Sequence, residues 1–134
     1  MADFSDYETF RPNMGRDEVL DWFQRKLNRV PEAADVYKVA KEFYQLGAYS
    51  RSLLCLEIYI SMPNSLLPGR HLLGYCHLNL GDVEKALIHF KKCVKDGYFE
   101  DWQLVVELTI EMEEKRRNGT DKIVIPALNE DFMM

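Results

Sequence analysis

The chain has 134 residues, 47% hydrophobic and 12% aromatic, so it is long enough and apolar enough to bury the core of one globular domain. Its 17 basic and 22 acidic residues give a net charge of −5, which disfavours nucleic-acid binding through a general phosphate field. The sequence contains neither a stretch that could span a membrane nor a signal peptide, so we expect a cytoplasmic or nuclear protein that is not secreted and has no membrane partner.

The first part of the chain predicts an arm and a lead helix. Residues 1–15 are polar and aromatic without a helical period, which favours an N-terminal arm. The next stretch, RDEVLDWFQRKLNRV, has acidic residues in its first turn and ends before Pro31. It predicts a helix whose apolar face packs on the elements that follow. The residues of that face are Val19, Leu20, Trp22, Phe23 and Leu27.

A 34-residue internal repeat follows the lead helix. When Gly81 is placed over Gly47, small residues fall on small ones and large apolar residues on large ones. The other aligned pairs are Leu80 on Leu46, Gly74 on Ala40, Ala86 on Ser52 and Phe90 on Leu56. This period is typical of arrays of helix pairs, and a Leu-Gly pair suits the end of the first helix of each unit. We predict two full repeats, 33–66 and 67–100, with helices near 33–46, 49–62, 67–80 and 83–96.

The last part of the chain predicts one more helix and an apolar tail. The stretch WQLVVELTIEMEEKRR predicts a sixth helix over 101–117, in phase with the first helix of a third repeat. In the tail, residues 118–134, Pro126 interrupts any helix. The tail either packs back on the array or serves as a partner-binding or self-association segment. The residues that would carry the second role are Ile123, Ile125, Leu128 and Phe132.

The repeat resembles the tetratricopeptide repeat (TPR) family. The matching residues are Leu73, Gly74, Gly81, Ala86 and Phe90 in one unit, and Val39, Ala40, Phe43, Gly47, Ser52, Leu56 and Pro63 in the other. The resemblance implies an all-α fold, a short right-handed TPR-like array of about six helices over residues 16–117. Over residues 16–113 the chain is also similar to the N-terminal TPR region of Ran-binding nucleoporins of the cytoplasmic pore filaments. That similarity implies docking to nuclear-pore or transport components at the nuclear envelope.

The family resemblance also implies a partner-binding groove, because the first helix of each unit lines the concave face. The groove positions are Tyr37, Lys41, Tyr44, His71, Tyr75, Leu78, Trp102, Val105, Thr109 and Met112. Tyrosine and tryptophan are preferred anchors at recognition sites, so we expect the groove to hold a peptide or helix, with Lys41 contacting an acidic group. The family's carboxylate clamp is not expected, since Lys41 alone could supply it. Alternatively, the arm or tail covers the groove.

No catalytic or metal-binding arrangement is evident in the sequence. The histidines, His71, His77 and His89, are six and twelve residues apart, and neither spacing places two imidazoles on one helical face. The cysteines form no CxxC pair and are expected to act as small hydrophobes; they are Cys55, Cys76 and Cys93. We therefore predict a non-enzymatic adaptor or scaffold without cofactor or metal. The alternative is a dimeric structural subunit that assembles through the sixth helix and the tail.

Overall fold

The computed structural model describes residues 7–63, 65 and 67–118, and this part of the chain consists of helices and turns without a strand. A short 3-10 turn, Tyr7–Thr9, precedes six α-helices. They are α1 (Arg16–Leu27), α2 (Ala33–Gln45), α3 (Tyr49–Tyr59), α4 (Leu67–Asn79), α5 (Val83–Lys95) and α6 (Asp101–Asn118). The predicted all-α class is confirmed, and none of these helices is long and apolar enough to cross a membrane.

The turns inside the two repeats have the same geometry. Gly47 and Gly81 follow α2 and α4 with φ of 79° and 87°, a left-handed conformation that glycine adopts without steric cost. In both turns the amide of the next residue donates a 2.8 Å hydrogen bond to the carbonyl five positions earlier. Asp82 then caps α5 by accepting a hydrogen bond from the amide of Lys85. The Leu-Gly pattern therefore ends the first helix of both units, as predicted.

Each helix from α2 onward packs against the next one in the chain, and α1 packs against α3. The aligned small residues lie at these contacts. The hydroxyl of Ser52 donates a 2.7 Å hydrogen bond to the carbonyl of Ala40, which joins α3 to α2. A Cβ atom added to Gly74 would lie 2.6 Å from the Phe90 ring, so α4 and α5 approach each other too closely for a larger residue.

The core forms two clusters that share α4. The first cluster lies among the N-terminal segment and helices α1 to α4, and its largest members are Phe10, Trp22, Phe23, Phe43, Leu56 and Leu72. The second lies among α4, α5 and α6 and includes Tyr75, Phe90, Leu104 and Leu108. All eight residues from His71 to Leu78 are buried, so α4 is covered on every side along this stretch.

The N-terminal segment is packed on the first cluster rather than forming a separate arm. Phe10 is fully buried, and the Arg51 side chain on α3 donates a 2.6 Å hydrogen bond to its carbonyl. The indole N–H of Trp22 donates to the Thr9 hydroxyl at 2.9 Å. The segment packs on the cluster instead of extending into solvent because burial of its aromatic side chains is stabilising. Residues 1–6 lie outside the described part.

Helix α6 is buried mainly on the face that the repeat phase predicts from α2. A shift of two repeats, 68 residues, places Leu104 and Leu108 over Val36 and Ala40, and all four are buried. The same shift places Val106 and Ile110 over positions of α2 that are exposed or partly exposed, and their own exposed fractions are 38% and 52%. The described part of the chain contains no second helix of a third unit. The buried face of α6, which includes Leu108, packs into the second cluster.

Candidate partner-binding surface

The three groove positions on α2 remain partly exposed. Tyr37 lies beside Tyr59, with ring centroids 5.6 Å apart, and Tyr44 accepts a 3.1 Å hydrogen bond from the Asn79 amide of α4. Burial of the ring raises the pKa of Tyr37 to about 12 and that of Tyr44 to about 12, so both hydroxyls stay protonated at neutral pH. Lys41 lies between them and is also partly exposed. These side chains can contribute contacts at the edge of a binding surface.

The three groove positions on α4 are interior, which corrects the expectation that they contact a ligand. The exposed fractions of His71, Tyr75 and Leu78 are 1%, 2% and 2%. Tyr75 packs edge-on against Phe90, with centroids 5.3 Å apart, and burial raises the pKa of its hydroxyl. These residues are covered because α6 packs its own apolar face onto the second cluster.

His71 forms a buried polar contact between α4 and α6. Its Nδ1 lies 2.8 Å and 2.9 Å from the two carboxylate oxygens of Asp101, the first residue of α6, and both side chains are 2% exposed. Cys93 lies close enough for Asp101 to influence its thiol, whose pKa is raised to about 12, mainly by burial and further by the Asp101 charge. A nucleophilic cysteine needs access and a lowered pKa. This buried group therefore connects helices and lacks the properties of a reactive thiol site.

The groove positions on α6 divide between the interior and the surface. Val105 is 6% exposed, and its carbonyl accepts a 2.7 Å hydrogen bond from the hydroxyl of exposed Thr109. Met112 is partly buried against the second cluster. Trp102, by contrast, is 60% exposed, which leaves most of a large aromatic side chain in contact with water.

Trp102 belongs to an exposed apolar stripe along α6, which we call the α6 stripe and define as Trp102, Val106 and Ile110. These residues are four positions apart, so they lie on one side of the helix. Phe99, 73% exposed, lies just before the helix. The groove positions predicted from the sequence include Trp102 but not Ile110 or Phe99. The four-residue spacing of these apolar residues was the available signal, but the groove positions were taken from the family resemblance, which does not include Val106 or Ile110.

The structure also brings together two histidines that the sequence spacing kept apart. The His77 and His89 rings stack with centroids 5.3 Å apart and planes within 6°, because α4 and α5 pack side by side. The Arg70 guanidinium donates to Nδ1 of His89 at 3.2 Å, so that nitrogen is the acceptor. Burial, with the neighbouring His77 and Arg70, lowers the pKa of His89 to about 4. Within the described residues no group of three metal-ligating side chains occurs.

The predicted tail residues Ile123, Ile125, Leu128 and Phe132 lie outside the described part of the chain. Comparison of the sequence with protein-family models and curated proteins, and of the fold with solved structures, gives no match. The geometry of the α6 stripe is therefore the main ground for a functional proposal.

Proposed function

We propose that this protein is a non-enzymatic interaction module that holds a peptide or helix of a partner protein on the α6 stripe. The observation that carries the proposal is the 60% exposure of Trp102 at the start of a continuous apolar row with Val106 and Ile110. Contiguous exposed apolar surface is uncommon on soluble domains unless something binds there. Tryptophan is also the residue type most enriched among strong binding contacts.

The partner in this proposal is an amphipathic segment. A row of apolar side chains at four-residue spacing matches the apolar face of another helix, or alternate residues of an extended peptide. Exposed Gln103 and Glu107 border the row and can form polar contacts at its edge. Tyr37 and Lys41 on α2, which stay partly exposed, are a second and smaller contact region on this proposal.

The family resemblance supports the same class of function. The matching turns 34 residues apart, and the close approach of α4 to α5 at Gly74, are the features expected of a right-handed TPR-like array. Arrays of this kind function as scaffolds. On this proposal the protein is an adaptor of the cytoplasm or nucleus, and the nucleoporin-like resemblance makes transport components of the nuclear pore the first partners to test.

The test uses peptides selected for binding to the full chain from a displayed library of random sequences. Selected peptides are then titrated against the wild-type protein and against Trp102→Ala and Ile110→Asp. Loss of a central apolar anchor is expected to weaken binding by at least about tenfold. The matched control is Leu46→Asp, since Leu46 is 72% exposed but lies at the end of α2. Binding that survives both α6 substitutions contradicts the proposal.

A second candidate is self-assembly, and the same stripe favours it. Two copies could pack their α6 stripes against each other around a twofold axis, the commonest symmetry of soluble oligomers. Sedimentation of the full chain distinguishes the two candidates. A dimer that becomes a monomer in Ile110→Asp but not in Leu46→Asp supports assembly, whereas a monomer at all concentrations supports the adaptor.

A further inference from the structure

Acidic residues border the α6 stripe. Between Lys95 and Lys115 the chain contains seven acidic residues and no basic one. The seven are Asp96, Glu100, Asp101, Glu107, Glu111, Glu113 and Glu114. Asp101 is buried against His71, and the others, except partly exposed Glu111, are exposed. The surface around the stripe is therefore negatively charged.

Exposed carboxylates lie along one edge of the stripe and at its end. Glu107 and Glu114 are seven residues apart and share that edge with Gln103, whose side-chain amide donates a 3.0 Å hydrogen bond to Glu107. Glu113 is seven residues after Val106, so it continues the line of the stripe towards the end of α6. A segment that lies on the stripe therefore has carboxylates beside it over most of its length.

Within α6, the basic residues follow the stripe, at Lys115, Arg116 and Arg117 in the last turn. Arg116 lies 3.5 Å from Glu113, and both side chains are exposed. An exposed ion pair of this kind contributes little to stability, because water already solvates both charges. The positive charge at the end of α6 therefore leaves the acidic border of the stripe in place.

This border selects the charge of the partner. The apolar contacts on the stripe supply most of the binding free energy, whereas charges at the edge of an interface set specificity and association rate. Nucleic acids and anionic lipid surfaces are repelled. A second copy is disfavoured as well, because equivalent edges meet in an antiparallel twofold pair of helices. The Glu107 and Glu114 edge of one copy would then lie along the same edge of the other.

A helix fits the shape of the stripe. Trp102 and Ile110 are eight residues apart, which is about 12 Å along α6, or a little more than two helical turns. Side chains at four-residue spacing form a ridge, and ridges of this kind on two helices pack beside each other. Phe99, which is 73% exposed and accepts a 3.0 Å hydrogen bond from the amide of Trp102, adds apolar surface at one end. A partner helix can therefore place apolar side chains along the whole row.

We propose that the partner segment is a cationic amphipathic helix, whose apolar side chains contact the α6 stripe and whose flanking Lys or Arg side chains face Glu107 and Glu114. This identification rests on the proposed function of the stripe. The basic residues of the partner contribute long-range attraction, although each exposed ion pair is individually weak. Acidic segments with the same apolar pattern are bound less tightly, so the acidic border gives the module its selectivity.

The first test uses two synthetic peptides of about 18 residues, or about five helical turns, that share one leucine-rich apolar face. The flanking positions are Lys in one peptide and Glu in the other. Fluorescence anisotropy is expected to show that the full chain binds the Lys peptide at least about tenfold more tightly at about 0.1 M salt. The preference should shrink at about 1 M salt, where charges are screened beyond about 3 Å. Equal affinities at the lower salt concentration overturn the proposal.

Charge reversal on α6 locates the effect. In the Glu107→Lys and Glu114→Lys double variant, the Glu peptide is expected to bind at least as tightly as the Lys peptide. The control is Glu8→Lys with Asp17→Lys, which changes the net charge by the same amount at exposed positions of the N-terminal part. The control should keep the preference for the Lys peptide. If it loses the preference to the same extent, net charge and not the α6 border selects the peptide, and the proposal is overturned.

A third peptide tests the helical conformation of the partner. It has the Lys sequence with one central Pro, which interrupts a helix without changing the charge. Its affinity for the full chain is expected to be at least about tenfold lower than that of the Lys peptide. Equal binding of these two peptides would show that the stripe accepts an extended segment and would overturn the proposal.

Failure of this inference is distinguishable from failure of the proposed function. Peptides selected from the random library can depend on Trp102 and Ile110 yet carry no excess of Lys or Arg. That result leaves the stripe as a binding surface and shows that the cationic partner is wrong. If neither the selected peptides nor the Lys peptide lose affinity in Trp102→Ala, the proposed function fails, and this inference fails with it.

Discussion

Tyr75 and Trp102 have similar chemistry and were both assigned to the binding groove, yet they have opposite positions. Tyr75 is 2% exposed and packs against Phe90, whereas Trp102 is 60% exposed on α6. Sequence periodicity reports which residues share a helical face, but it does not report whether a neighbouring helix covers that face. Here α6 covers the α4 face, and only the structure shows this.

The two positions are therefore expected to respond differently to truncation. Tyr75→Ala should lower the free energy of unfolding by about 3 kcal/mol, because a buried ring is replaced by a cavity. Trp102→Ala should change it by less than about 1 kcal/mol, because most of the side chain is in water already. Urea unfolding of both variants measures the difference. A large loss for Trp102→Ala would contradict this prediction and show that its ring is buried in the full chain.

At the scale of the elements, much of the fold follows from sequence alone. Helices α2 to α5 begin at the predicted residues, because the glycine turns after α2 and α4 fix the repeat. Helix α3 ends at Tyr59, three residues early, where amides of Ser61 and Met62 donate to carbonyls three positions back in a tight turn before Pro63. The packing of Phe10 could not be predicted, because the sequence does not show which surface of the array its ring covers.

The stability of the α4–α5 pair is expected to depend on pH because burial disfavours the charged form of its two stacked histidines. His89 titrates at about 4 in the folded protein and near 6.5 when unfolded, since burial, His77 and Arg70 disfavour its charged form. Between these values the unfolded chain binds more protons, so the stability that the neutral imidazole contributes is present above pH 6.5 and is lost as pH falls towards 4. The pKa of His77 is lowered in the same direction, mainly by burial.

The expected result is a smaller acid sensitivity when His89 is replaced. Urea unfolding of wild type and His89→Gln at pH 7 and pH 5 should show a larger loss of stability on acidification for wild type. Carboxylates titrate alike in both proteins, so the difference isolates the histidine. Parallel curves for the two proteins would show that His89 is accessible to protons and that the stack does not disfavour its charge.

At the scale of the whole molecule, α6 is held by one apolar face and one buried polar contact. The His71–Asp101 pair joins the start of α6 to α4, and both side chains are 2% exposed. Replacing Asp101 by Ala leaves a buried polar ring atom without this acceptor, a loss of about 2 kcal/mol. The effect should be local, because α2 and α3 belong to the first cluster.

Hydrogen exchange measures whether α6 opens independently of the first cluster. In Asp101→Ala, amides of α6 should exchange faster than in wild type, while those of α2 and α3 keep their protection. Asp17→Ala, at an exposed position on α1, is the control for loss of a charge. Faster exchange throughout the chain would mean that both clusters open together and that the molecule is a single cooperative unit.

The burial of α4 from His71 to Leu78 has a consequence for the order in which this chain can fold during synthesis. Helices α2 and α3 are made first, but the cluster that they begin also needs Leu72, Leu73 and Cys76 from α4. Until α4 emerges from the ribosome, the apolar side of α3 faces water. Domains generally fold as units as they are made, so the first half should wait for the middle of the chain, and α6 should dock last.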